Sequence, residues 1–100
     1  MRVDLHQTEN HLVAKLSGRM SFSDHGQFRK VLDGIRADGI KTCVLDVATL
    51  EAIDSSGLGM LMLAIEDARK GGWSLTVANA AGPVKQLLQL SRLDKMLKVA

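Results

Sequence analysis

The sequence predicts an α/β fold: a single mixed β-sheet with helices packed on it, in the order ββαβαβαβ. Three observations carry that expectation. The first seventeen residues alternate apolar and polar side chains on either side of a polar turn, as a hairpin does. Two long stretches then place apolar residues at helical spacing, and each is stopped by glycine. An apolar or alternating run follows each stretch, and strand–helix–strand order of this kind calls for crossover units on a shared sheet.

The elements follow in order. Val3 and Leu5 share one side of a strand at 2–6, and Leu12, Ala14 and Leu16 share one side of a strand at 11–17. Thr8-Glu9-Asn10 makes the turn, and Gly18 ends the hairpin. A helix at 23–38 starts at Ser21 or Ser23, with Asp24 as a capping partner. Phe28, Val31, Leu32 and Ile35 form its buried stripe, and Asp38-Gly39 stops it. Cys43, Val44, Leu45 and Val47 make 41–47 nearly all apolar, which suits a central strand covered on both faces. Ala48 to Ile53 reads as a connection. A second long helix at 56–70 ends at Gly71-Gly72. Leu75 and Val77 alternate in a strand at 73–78. Pro83 suits the first turn of a helix at 83–91, with Val84, Leu87 and Leu88 inward. A last strand falls at 95–99.

Composition narrows the function. One hundred residues make one domain, 1–100, with a modest core. That core is aliphatic, because Phe22, Phe28 and Trp73 are the only aromatic residues. The net charge is +2, and the 13 lysines and arginines are spread along the chain, so no basic footprint for nucleic acid exists. The longest apolar run, Leu58 to Ile65, is too short to cross a bilayer, and no signal peptide opens the chain. Cys43 is a lone cysteine in a buried-strand pattern, which fits a packed thiol in a reducing cytoplasm. His6, His11 and His25 lack metal-ligand spacing, so no metal and no cofactor is expected. Ser56 has no G-x-S-x-G elbow around it, so no catalytic residue is expected either.

The informative segment is Asp54-Ser55-Ser56-Gly57-Leu58-Gly59. Asp54 or Ser55 can cap the helix, since their oxygens accept its orphan N–H groups. Two glycines in the first turn weaken a helix, so close approach of another backbone is expected there. At about 100° per residue, Leu58, Leu61, Met62, Ile65 and Ala68 fall on one face, which would dock on the sheet. Met60, Leu63 and Ala64 then point outward, on the same side as Ser56. That reads as an exposed apolar strip beside a serine, and such strips mark contact surfaces. A phosphate on Ser56 would sit at a helix N-terminus, which tolerates it, and would place about two negative charges beside the strip.

The hexapeptide, the preceding Val44-Leu45-Asp46-Val47 and the later Pro83-Val84-Lys85-Gln86-Leu87-Leu88 resemble the STAS family of anti-sigma factor antagonists. The resemblance runs from about Val13 to the C-terminus. It implies that Ser56, just before the motif glycine Gly57, is the phosphoacceptor. It implies a bacterial, cytoplasmic partner-switching protein that is not an enzyme. Its partners would be an anti-sigma factor that doubles as a serine kinase and a PP2C-like, metal-dependent serine phosphatase. The chain would be a monomer or weak dimer. The alternative is a STAS-type binding module without phospho-switching, such as a transporter-associated subunit or a stressosome-like scaffold. Partner contacts are expected at Met20, Ser21 and Asp24 as well as on the strip. There the chain departs from the family's Gly-x-Leu-Asp, having Gly18-Arg19-Met20-Ser21, with Asp24 as the nearby carboxylate. Arg92 likewise stands where a glycine is common. Phe22-Ser23-Asp24-His25 resembles a proteobacterial branch of these antagonists.

Overall fold

The computed structural model of the chain describes residues 1–95, 98 and 99. Strand β1 (Arg2–Thr8) turns at Glu9-Asn10 into β2 (His11–Met20). One 3-10 turn, Phe22–Asp24, leads into helix α1 (His25–Ala37). Then come β3 (Thr42–Ile53), α2 (Ser55–Gly71), β4 (Ser74–Ala78) and α3 (Gly82–Leu90). A 3-10 turn at Leu93–Lys95 precedes β5 (Lys98–Val99). The final predicted strand is thus found at its end only, and 96 and 97 lie outside the described residues.

The described strands form one sheet in the order β1-β2-β3-β4-β5. β1 is antiparallel to β2, and every later pairing is parallel. Since the crossovers all step in one direction, right-handed connections place every helix on the same face of the sheet. Burial agrees. Leu12, Ala14, Leu16, Cys43, Leu45, Val47, Leu75 and Val77 are buried together with Phe28, Val31, Leu32 and Ile35 of α1. Each such large side chain contributes about 1.5–3 kcal/mol by leaving water. The expectation that the central strand is covered on both faces is corrected. Val44 is only half-buried, in an open-face row with Val13 and Thr76.

Two further boundaries are corrected. β2 continues past Gly18 to Met20, and β3 continues past Val47 to Ile53. The register between them shifts twice, between Lys15 and Ser17 and between Gly18 and Arg19, and Gly18 takes a φ of +82°. Such bulges break the two-residue alternation without ending the pairing. Ala48 and Thr49 are consecutive exposed residues for this reason, and Leu50 is buried again. The long β3 delivers Asp54 to the carboxyl edge of the parallel strands, where the loops after β2 and β4 also emerge.

Cys43 is buried as expected, and burial pushes its thiol up to about 11. Among the described residues no helix is long and apolar enough to cross a membrane.

Candidate functional site

Asp54 caps α2. Its backbone is extended, its Oδ1 accepts a bond from the Gly57 N–H at 2.9 Å, and its own N–H donates to the Met20 carbonyl at 3.2 Å. The helix start is therefore fastened to the end of β2. Gly57 is buried there. A Cβ at this position would lie 2.6 Å from Ile53 Cγ2 and 2.9 Å from the Met20 carbonyl oxygen. This is the close backbone approach that the glycine pair signalled, and it belongs to Gly57 alone. Gly59 is exposed and a Cβ there meets nothing within 4 Å.

The approach at Gly57 fixes the rotation of the helix. Gly57, Met60, Leu61, Ala64 and Ala68 face the core, with Leu58 and Ile65 half-buried at its margins. The outward strip is corrected accordingly. Met60 is 1% exposed and Ala64 is wholly buried, so neither offers a contact surface in this structure. Met62, expected inward, is exposed, and Leu63 is exposed as expected. The sequence is apolar all round from Leu58 to Ile65, so periodicity alone could not fix the phase. The outer line that results is Ser56, Gly59 and Leu63, flanked by Ser55 and Met62. Ser56 is half-buried and Ser55 is exposed, both in the first turn. In the first turn the Gly57 N–H goes to the Asp54 carboxylate and the Leu58 N–H to the Asp54 carbonyl. That leaves those of Ser55 and Ser56, with the positive end of the helix, for a phosphate on Ser56.

The segment after β2 divides in two. Met20 is 1% exposed, packed beneath Gly57, which corrects its expected place on the surface. Asp24 is buried too. Its carboxylate accepts the Ser21 N–H at 2.8 Å and pairs with the Met1 ammonium at 3.0 Å. The Ser21 N–H above all, with the ammonium helping, holds its pKa below the ordinary value of 3.8. Asp24 thus closes the turn that starts α1, and its charge is already spoken for. Ser21 is half-buried, whereas Phe22 is 75% exposed. Phe22 was not singled out as a contact residue from sequence. The available signal was an aromatic side chain in a polar turn, outside the Phe28 stripe. It stands two residues beyond Met20, whose carbonyl holds Asp54.

Below Leu63, a shallow groove of about 160 Å³ runs between α1 and α2. Leu32 and Leu63 line it, Arg29, Asp33 and Lys70 edge it, and Arg36 bridges to Asp67 at 3.1 Å. Asp46, by contrast, is structural. It accepts from Asn79 Nδ2 and the Ala48 N–H, both at 3.0 Å, tying β3 to the loop after β4. The Asn79 bond, more than the Ala48 bond, lowers its pKa. His11 bonds Thr42 at the far end of the sheet from Ser56.

A helix start locked to a sheet edge thus carries two serines and exposed apolar side chains on a small α/β domain. Residues 3–98 match the family model described as "Mlab, STAS domain", and the chain belongs to the STAS domain family. A STAS-domain containing protein of Pseudomonas aeruginosa is 28% identical over 89 residues, spanning 89% of this chain and 87% of that protein. The anti-sigma F factor antagonist of Paenibacillus polymyxa is 25% identical over 100 residues, spanning 99% of this chain and 86% of that protein. The fold is similar to that of the Bacillus cell fate determinant SpoIIAA in its phosphorylated form. The TM-score is 0.77 at 20% identity, over 99% of this chain and 91% of that one.

Proposed function

We propose that this chain is an anti-sigma factor antagonist of the bacterial cytoplasm, a partner-switching protein rather than an enzyme. Unphosphorylated, it sequesters an anti-sigma factor that is also a serine kinase and so releases the sigma factor. Phosphorylation of Ser56 ends the binding, and a PP2C-like serine phosphatase restores it. One observation carries this reading: Ser56 lies one and two turns above Gly59 and Leu63 on the outer line of α2, at a helix end suited to an anion. The partner covers Leu63, Met62 and Phe22, which are exposed apolar side chains. About two negative charges at Ser56 would have to be desolvated under such a partner, and that cost opposes association with little change of fold. The likeness to an anti-sigma F factor antagonist supports the partner class.

The test is phosphopeptide mass spectrometry of the protein incubated with the kinase and ATP, paired with calorimetric titration of the kinase. Phosphate on Ser56, tight binding by Ser56→Ala and weak binding by Ser56→Asp are expected. Phosphate on Ser55 alone would move the switch by one residue. A chain never phosphorylated, whose Ser56→Asp variant binds as wild type does, is the phosphorylation-independent binding module instead.

A further inference from the structure

We infer that β1 is a self-complementary edge through which two copies of this chain pair, extending the sheet across a two-fold axis. β1 ends the sheet, and its far side has no strand partner among the described residues. Thr8 and His11 flank the two-residue turn and are paired across it, so they exchange their backbone bonds. Counting back by twos, Arg2, Asp4, His6 and Thr8 spend their N–H and carbonyl groups on β2. Val3, Leu5 and Gln7 therefore present theirs to the open edge. No proline or bulge blunts this seven-residue strand, and its two charges, Arg2 and Asp4, already meet each other at 3.5 Å.

The side chains select one register. With Leu5 opposite the second copy's Leu5, each Asp4 lies opposite a His6, twice over, at the close non-hydrogen-bonded positions. Val3 then meets Gln7, and the outward backbone groups of these residues pair around the axis. Sliding two residues one way sets Asp4 opposite Asp4, and sliding two the other way sets His6 opposite His6. Neither offers the carboxylate–imidazole pairs. Leu5 is 52% exposed and sits on the helix side of β1, opposite Ala14, over a groove lined by Leu12, Val31, Gly34 and Ile40. The pairing covers that leucine with its own copy. A single strand pair buries less than the roughly 1,000 Å² of a stable interface, so the association is weak and reversible. It uses the edge of the sheet remote from α3 and β5, and it is isologous, the commonest closed symmetry.

Sedimentation equilibrium up to about 1 mM protein tests it, a range that reads even millimolar association. Wild type is expected to rise from 10.8 kDa towards twice that mass with concentration. Leu5→Pro removes an N–H that only the edge uses, so it is expected to leave the hairpin ladder paired and weaken association at least about tenfold. Asp4→His sets imidazole against imidazole and is also expected to weaken it. Adding His6→Asp restores the opposite pairs and is expected to recover dimer. Circular dichroism checks folding in each case. A wild type that stays at 10.8 kDa throughout, or a folded Leu5→Pro that associates as wild type does, overturns the inference. A folded double swap that stays monomeric overturns the register.

Discussion

Helices α1 and α2 lie side by side on the same sheet, yet they use their apolar residues differently. α1 keeps Phe28, Val31, Leu32 and Ile35 in one buried stripe and gives every other position to polar residues, glycine and alanine. Its orientation follows from hydrophobicity alone. α2 is apolar around its whole circumference from Leu58 to Ile65. Its orientation follows from steric contact at Gly57, and the surplus apolar residues, Met62 and Leu63, are left in water. A helix built only for support has no need of that surplus. Under the proposed function, Met62 and Leu63 are the side chains that a partner would cover.

The sharpest way to break this comparison is to charge the inner line of α2. Leu61→Asp, or Met60→Asp, buries an unpaired carboxylate and is expected to cost more than about 4 kcal/mol, enough to unfold a domain of this size. Thermal melting followed by circular dichroism checks it. A folded Met60→Asp would return Met60 to the surface and overturn the assigned rotation. Phe28→Ala in α1 is expected to cost about 3–5 kcal/mol by the cavity it leaves. The glycine pair gives an intermediate and opposite-signed effect. Gly57→Ala must displace Met20 and Ile53 and is expected to lose about 1–3 kcal/mol. Gly59→Ala, on the open side of the same turn, is expected to gain about 0.5–1 kcal/mol. Urea titrations of the two single variants measure both signs. The Leu63→Asp variant is expected to change stability by less than about 0.5 kcal/mol, as exposed substitutions do, while abolishing binding to the anti-sigma factor in calorimetry. If it binds normally, the contact lies at Phe22 and its turn.

The smallest expected effect is a pH dependence at the start of α1. Asp24 has a folded pKa below its ordinary 3.8, chiefly through the Ser21 N–H. A group depressed in this way stabilises the fold above its unfolded pKa, and that contribution is lost as pH falls through the folded value. Stability measured by urea titration from neutral pH downward should therefore fall in acid, and Asp24→Asn should flatten that fall. An unchanged acid limb would mean that Asp24 contributes no proton linkage.

Much of the fold was legible because its signals were local. The hairpin showed in alternation, α1 in its stripe, and the helix stops in glycines such as Gly72, which takes a left-handed φ of 72°. The end of β3 was not legible, because both bulges put their extra residue in β3, between Asp46 and Thr49 and at Glu51, and interrupt its alternation. β2 was cut short at Gly18, whose left-handed φ of 82° goes with residues that read as a turn. Whether the sheet was covered on one face or two depended on connection handedness, and Val44 is as apolar on an open face as on a closed one. At the candidate site, the Asp54 cap and the need for close approach at a glycine were readable from residue type. The choice of Met62 over Met60 for the surface was not, since it depends on Met20 and Ile53, distant in sequence and adjacent in space.

Cys43 gives this molecule a built-in clock. Its side chain points from β3 into the core under the helices, so a thiol reagent reaches it only when the helix layer lifts from the sheet. The raised pKa keeps it protonated and unreactive in the closed state. Labelling of native protein with an aromatic disulfide reagent would therefore count openings of the helix layer one molecule at a time, with no engineered probe. A partner or phosphate that tightens the helix layer over the sheet would register as a slower count, and one that leaves the sheet unaffected would leave the count unchanged.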